Sequence, residues 1–261
     1  MDERKANRLK RILNEGGVAI GANTQIPSTA LVEILGLVGF DFTMIDTEHG
    51  LFDLQFTGEL IRAAQGAGLT PLVRVLNNNP GLILKALDLG AQGVVIPRIS
   101  SQEDAIRAVE ACKYSMGRGA CPLVRAADYG LWDWKTYQDW ADGETMVILL
   151  IEDLEAAERI EEILEVQGVD AIFLGPFDMS VSAGLHGNVH HPVIQQAHDK
   201  ILSACRDKGI PVMCALTAGR DVDAWVKRGV RIVMQSADSV VFARAQKAFL
   251  DSVAHLRNQE V

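Results

Sequence analysis

A (β/α)₈ TIM barrel is the fold that this chain predicts, and three observations predict it. Short apolar runs alternate with stretches of helical periodicity, eight times in 261 residues. The runs are continuous rather than alternating in hydrophobicity, as in parallel strands buried on both faces. No GxGxxG turn follows the first run, where "GANTQIPST" stands instead, so the doubly wound open sheet lacks its usual signature. Strands alternating with helices imply right-handed βαβ units, and eight of them in about 250 residues close a barrel.

The opening segment, "MDERKANRLKRIL", is charged throughout and predicts a short amphipathic helix rather than a signal peptide. Residues 17–23 predict the first strand and 28–39 the first barrel helix, with Ser28 as its cap. Strand 42–46 leads into helix 53–68, strand 71–75 into helix 81–91, and strand 93–99 into helix 101–115. An irregular stretch rich in Gly, Trp and Tyr then runs over 116–143 and is expected to be a lid or a subunit contact. Strand 145–152 precedes helix 154–168, where Ala157, Ile160, Ile163 and Leu164 recur at helical spacing. Strand 170–175 is followed by a loop and helix 191–209, strand 210–216 by helix 220–229, and strand 231–236 by helix 239–256. No repeat, linker or low-complexity tract interrupts this order, so residues 1–261 are expected to form a single barrel domain.

Composition narrows the function. The chain is 48% hydrophobic and 23% charged, which suits a soluble domain with a large core. Its formal charge of −9 repels phosphate backbones and argues against nucleic acid. No apolar run approaches the ~20 residues that cross a bilayer. Cys112, Cys121, Cys205 and Cys214 show no CxxC spacing, which suits reduced thiols in a cytoplasmic protein.

In a barrel the C-terminal ends of the strands surround one site. Strand two ends in Asp46, Glu48 and His49; strand three carries Arg74; strand four ends in "PRI", with Arg98. Strand five ends in Glu152, strand six in "GPFDMS" with Asp178, and strands seven and eight in "CALT" and "QSAD". The absences count as well. No lysine falls inside or at the C-terminal end of a predicted strand, which disfavours Schiff-base chemistry. There is no GxSxG elbow, and strands seven and eight lack the glycine-rich turns that hold phosphates.

Glu152 and Asp178 are hard oxygen donors on adjacent strands, suited to Mg²⁺ or Mn²⁺ completed by water and substrate oxygens. Such an ion would polarise a 2-keto acid and stabilise its enolate. Arg74 would add a fixed positive charge at the oxyanion, and His49 is the candidate base. The amides of Phe177 and Asp178 are placed to hold a substrate carboxylate, while Pro176 has no N–H to give. Taken singly, these residues keep other readings. The Asp46–His49 stretch is also a strand-end turn, Arg74 an ion-pair partner for Glu152, and Asp88 a partner for Lys85. "HGNVHH" (186–191) is expected to be a solvated loop that caps the next helix, and Cys121, near the expected mouth, a packing thiol.

At these residues the sequence resembles the HpcH/HpaI aldolase family. The matching pieces are "IDTEH" (45–49), "PLVR" (71–74), "KALDLGAQGVVIP" (85–97), "RG" (118–119), "IED" (151–153), "GVDAIFLGPFDMS" (168–180) and "HP" (191–192), in order over nearly the whole chain. The resemblance implies a class II pyruvate aldolase on a (β/α)₈ barrel, dependent on Mg²⁺, Mn²⁺ or Co²⁺. It cleaves a 4-hydroxy-2-oxo acid to pyruvate and an aldehyde through a metal-bound enolate. By the same resemblance Glu152 and Asp178 ligate the metal, Arg74 stabilises the enolate, and His49 is the base. Asp88 raises the basicity of that base, Gly175 to Asp178 bind substrate, and Asp46 supports the set. It also implies a homo-oligomer, commonly a hexamer built as a trimer of dimers with exchanged C-terminal helices.

Three positions depart from the family's usual residues: Leu150 where Gln is common, Cys121 in the "RG" turn, and Phe177 where Ala or Asn is common. They bear on the substrate, and three other readings use the same site: a 2-keto-3-deoxy sugar acid aldolase, an oxaloacetate decarboxylase, and a silent 2-keto-acid binder.

Overall fold

The computed structural model describes residues 6–216 and 222–258. Eight parallel strands close a barrel in sequence order: β1 (Ala19–Thr24), β2 (Phe42–Asp46), β3 (Thr70–Arg74), β4 (Gly93–Ile96), β5 (Met146–Ile151), β6 (Ala171–Leu174), β7 (Val212–Leu216) and β8 (Val230–Ala237). Every residue of β2, β4, β5 and β6 is buried, because one face fills the barrel and the other meets helices. The interior carries Phe42, Met44, Leu72, Val95, Ile148, Leu150, Phe173, Met213 and Met234. Gly21 is glycine for a packing reason: a Cβ there would lie 2.5 Å from the Phe42 ring.

Helix α1 (Arg8–Asn14) lies under the barrel, where the buried Leu9 plugs the lower end. The outer layer is α2 (Thr29–Leu37), α3 (Leu54–Gly66), α4 (Pro80–Asp88), α5 (Gln102–Cys112), α6 (Trp134–Glu144), the pair α7 (Leu154–Glu158) and α8 (Ile160–Ile163), α9 (Pro176–Ser182), α10 (Pro192–Lys208), α11 (Val222–Arg228) and α12 (Asp238–Val253). Side-chain caps set many starts: Ser28, Asp53, Asn79, Ser101, Asp133 and Asp153 each accept a first-turn N–H.

Four local expectations are corrected. The 116–143 stretch is not irregular throughout. It holds 3₁₀ turns and α6, with Trp132, Trp134, Tyr137 and Trp140 packed on Tyr114 and on one another. It joins α5 to β5, so it returns the chain to the lower end and cannot be a lid over its own mouth. The exposed Cys121 goes with it, away from the mouth. The helix expected over 154–168 breaks at Arg159 (φ −98°, ψ 16°) and ends at Ile163. The loop expected after strand six is helix α9, started by Pro176 at a first-turn position. Strand β4 stops at Ile96 rather than 99, because Pro97 has no N–H to pair and Arg98 turns into the left-handed region at φ 58°. Thr217 and the start of the helix expected over 220–229 lie outside the described residues.

Candidate active site

The turn after β2 is organised by Asp46, which is fully buried. Its Oδ1 accepts the N–H groups of Glu48 (3.1 Å) and His49 (3.2 Å), closing the strand in an Asx-type turn. Arg74 stands beside it in register on β3 and donates from Nε to Oδ1 (2.9 Å) and from Nη2 to Oδ2 (2.5 Å). Gln25, just past β1, donates from Nε2 to Oδ2 (2.8 Å). Burial pushes the Asp46 carboxyl up, but the Arg74 hydrogen bonds and charge, then Gln25 and the His49 amide, hold it below the usual carboxylate range. With five donors around it, Asp46 is an anchor rather than a reacting acid. The turn reading and the site reading both hold here, because the turn is what aims Arg74.

Arg74 is therefore paired with Asp46, not with Glu152. Its Nη1 lies 3.5 Å from Glu48 Oε2. Burial works against its charge, but Asp46 prevails and its pKa is raised. Glu48 sits between Arg74 and His49, whose Nε2 is 4.0 Å from Glu48 Oε2. Burial raises the Glu48 carboxyl despite the opposing charges of Arg74, His49 and Arg98. The His49 side chain is 61% exposed and open to the mouth.

Glu152 follows β5 and accepts the Arg98 N–H at 2.8 Å. Burial is the largest influence on its carboxyl. The Arg98 N–H opposes it, but the charges of Asp178 and Glu48 add to it, and the pKa is pushed up to about 7. Asp178 lies in the first turn of α9 and is exposed. Gly175, which precedes that helix, lets it approach: a Cβ there would lie 2.6 Å from Glu152 Cβ and 3.1 Å from Leu150 Cδ1. The first intrahelical bond of α9 runs from the Met179 N–H to Gly175 O, so the Phe177 and Asp178 amides have no partner within the helix. Leu150 points into the apolar barrel interior, so the floor between Glu152 and Gly175 is hydrocarbon. The Phe177 ring is 61% exposed and lies against Gly187.

Among the described residues no group of three or more His, Cys, Asp and Glu side chains gathers as a metal site. The pair Glu152 and Asp178 still fits a hard divalent ion, which takes one or two carboxylates and fills its shell with water and ligand oxygens. A cation there would relieve the repulsion that raises Glu152.

Asp88 is not part of this mouth. It is the last residue of α4, a helix that runs back to the lower end. Within this chain it meets Arg118, whose Nη2 donates to Oδ1 at 3.1 Å, and it does not meet His49. Burial raises its carboxyl, opposed by Arg118 and then Lys85. In "HGNVHH", His191 caps α10 by accepting the Val193 N–H, as expected of that loop. Two participants went unread in the sequence. Gln25 follows the end of β1, so the strand-end rule applied to β1 finds it. The Arg98 amide carries no sequence signal, because any residue but proline supplies an N–H.

Residues 24–245 match the family described as HpcH/HpaI aldolase/citrate lyase. The chain is 35% identical over 229 residues to the 2-dehydro-3,6-dideoxy-6-sulfogluconate aldolase of Pseudomonas putida, covering 87% of this chain and 89% of that one. It is 31% identical over 245 residues to the hydroxypyruvate/pyruvate aldolase of Roseobacter denitrificans, covering 93% and 95%. A crystal structure of an HpcH/HpaI aldolase/citrate lyase family protein from Burkholderia cenocepacia superposes with a TM-score of 0.89 at 30% identity, covering 95% of this chain and 99% of the other.

Proposed function

The chain belongs to the HpcH/HpaI aldolase/citrate lyase family, and we propose that it is a divalent-metal-dependent aldolase that cleaves a 4-hydroxy-2-oxo acid to pyruvate and an aldehyde. One observation carries this reading: Glu152, pushed up to about 7 partly by Asp178, faces the same mouth as an arginine fixed by five-point anchoring of Asp46.

Glu152 and Asp178 would hold Mg²⁺ or Mn²⁺, which supplies Lewis-acid polarisation of the 2-keto acid when bound. The Phe177 and Asp178 amides, with Gly175 and Pro176 shaping the turn, hold the substrate carboxylate. His49 takes the proton from the C4 hydroxyl as the C3–C4 bond breaks and the aldehyde leaves. The electron pair of that bond passes into the C2–C3 bond of the pyruvate enolate, and Arg74 faces the developing oxyanion without having to reorient. Glu48, between Arg74 and His49, receives opposite charge from both sides. Asp88 stays outside the set that one chain assembles.

The name of the Pseudomonas putida relative describes a sulfonated 2-keto-3-deoxy sugar acid, which favours a substrate of that kind within the same reaction. The protein is proposed to work in the cytoplasm, where thiols such as Cys112, Cys121 and Cys205 stay reduced. Among the described residues no helix is long and apolar enough to cross a membrane. A homo-oligomer is also proposed. Helix α12 buries none of its residues, and Phe242, Phe249 and Leu250 stand exposed along it. A second copy covering that face would give the exchanged C-terminal helix of a dimer.

The test is proton exchange at the pyruvate methyl in D₂O, which needs the enolate but not the aldehyde. Exchange by chelator-stripped protein only after Mn²⁺ or Mg²⁺ is added, and its loss in Glu152→Ala, is the expected result. Metal-dependent binding of pyruvate without exchange or turnover would leave a silent binder instead.

A further inference from the structure

At the lower end of the barrel, away from the mouth, the structure opens a cavity of about 850 Å³. It lies between α1 and the loops that lead into β3, β4 and β5, and the 3₁₀ turn Arg125–Gly130 and α6 form its outer wall. Five arginines line it, Arg8, Arg11, Arg62, Arg118 and Arg125, and Asp128 is the one carboxylate among the lining residues. In a chain of net charge −9 that concentration of cations calls for a reason. The volume falls within the ~300–1,000 Å³ of small-ligand sites.

Ion pairs within the chain answer only part of this charge. Arg8 meets Asp41 at 2.7 Å and Arg62 meets Glu59 at 2.5 Å, both partly exposed and so weak, and Arg118 meets Asp88 at 3.1 Å. Among the described residues Arg11 forms no ion pair, and Arg125 gives its Nη groups to neutral acceptors, Leu89 O (2.8 Å) and Gln65 Oε1 (2.6 Å). Burial and then the charge of Arg62 lower the Arg125 pKa, against Tyr129 and Asp128. Gly90 makes room for that guanidinium, because a Cβ there would collide with Arg125 Nη1. Two buried donors on lining residues have no partner among the described residues: Nε of Arg118, whose side chain is 1% exposed, and Nε1 of Trp140. A buried N–H left in that state is costly, and an acceptor entering the cavity would relieve it.

We propose that this cavity is a second binding site, for a small oxyanion that carries two or more negative charges, a phosphate ester or a polycarboxylate. Guanidinium forks match the oxygens of both. Arg11 and Arg125 supply charge that no ion pair takes, and Arg118 Nε and Trp140 Nε1 supply the buried donors. Tyr129, Tyr137 and Trp140 give the carbon skeleton of the ligand an aromatic wall. The site is at the opposite end from Glu152 and Asp178, so it stands whether or not the mouth is that of an aldolase.

The experiment is calorimetric titration of the full chain with two probes, pyrophosphate and propane-1,2,3-tricarboxylate, in a buffer free of divalent metals and of other multivalent anions. Saturable binding of one anion per chain is expected. Arg125→Gln and Arg11→Gln should each weaken it by about tenfold or more, since each removes a charge-assisted contact. Arg11 is exposed and forms no ion pair among the described residues, so its variant reads the site even where Arg125→Gln, which gives up two hydrogen bonds, fails to fold. Lys208→Gln removes an equal charge from an exposed position on α10 and should change the affinity by less than about twofold. Arg74→Lys, at the mouth, should leave it unchanged. The probe that binds more tightly assigns the phosphate ester or the polycarboxylate, and equal affinities assign a site for both. No saturable binding of either probe overturns the assignment. So does binding that falls as far in Lys208→Gln as in Arg11→Gln, or that is lost in Arg74→Lys.

Discussion

The two ends of this barrel treat charge in opposite ways. At the lower end buried charges find partners within the chain, although Arg118, paired with Asp88, keeps its Nε without one among the described residues. Lys113 Nζ donates to the carbonyls of Asp142 (2.9 Å) and Thr145 (2.7 Å) and stands 3.5 Å from Asp170 Oδ2. Asp170 also takes Lys10 Nζ at 3.0 Å and the Val147 N–H at 2.9 Å. The Asn7 amide bridges the carbonyls of Gln92 and Glu144 at 2.9 Å each. At the mouth Glu48, Glu152 and Asp178 face two arginines, one of them already taken by Asp46, and two of the three carboxyls are raised. Polar groups satisfied within the chain hold a fold together, and groups left unsatisfied wait for something from outside. The contrast assigns stability to the lower end and chemistry to the mouth, as barrels generally divide them.

Glu152→Ala is the strongest way to break that division. Pyruvate methyl exchange should fall by about a thousandfold or more, since on the proposed reading the ion would lose one of its two ligands and its electrostatic stabilisation together. The thermal midpoint of the metal-free protein should rise, because a half-buried carboxylate repelled by Asp178 and Glu48 is gone. A fall in both activity and midpoint would show that Glu152 also holds the mouth together. The converse change is Lys113→Met. It leaves two carbonyls without their donor and should destabilise the protein by about 3 kcal/mol in urea, while exchange per folded molecule stays at the wild-type level. Exchange that drops with stability would couple the two ends and remove the contrast.

Arg74→Lys sharpens the comparison within the mouth. Lysine keeps the charge but cannot reproduce the two-pronged contact with Asp46, so the cation loses its fixed position. Losing one charge-assisted hydrogen bond of about 2 kcal/mol predicts an exchange rate lower by on the order of thirtyfold. An unchanged rate would mean that the charge matters and its anchoring does not.

The same contrast explains what could be read without a structure. The strands were legible because continuous apolar runs have one use in a barrel; β2 was expected at 42–46 and lies at Phe42–Asp46. Asp46, Arg74, Glu152 and Asp178 were legible because closure brings strand ends together whatever the loops do. Asp88 was not, because a residue on a returning helix goes to the other end, and only the length of α4 decides how far. The Asp46–Arg74 pair was not read, and the one ion-pair partner weighed for Arg74 was Glu152, since strand order alone does not give register, and register is what sets Asp46 beside Arg74. Helix α6 was hidden by its aromatic residues, whose cluster with Tyr114 is a tertiary arrangement without a helical period.

Proton binding at Glu152 gives the subtlest separation of the two ends. Its carboxyl is raised from an ordinary 4.5 to about 7 in the metal-free fold. The folded protein therefore holds that proton more tightly than the unfolded chain, so the stabilisation it brings is complete below 4.5 and is lost as pH rises to about 7. A metal ion must displace the same proton. Calorimetric titration of chelator-stripped protein should give a Mn²⁺ affinity that climbs by up to about tenfold per pH unit below about 7 and levels off above it. Lys113→Met, at the far end, should leave that curve where it is. An affinity that stays flat across about pH 5.5 to 8 would take Glu152 out of the ligand pair, since no ion can bind an already protonated carboxylate without paying for the proton's departure.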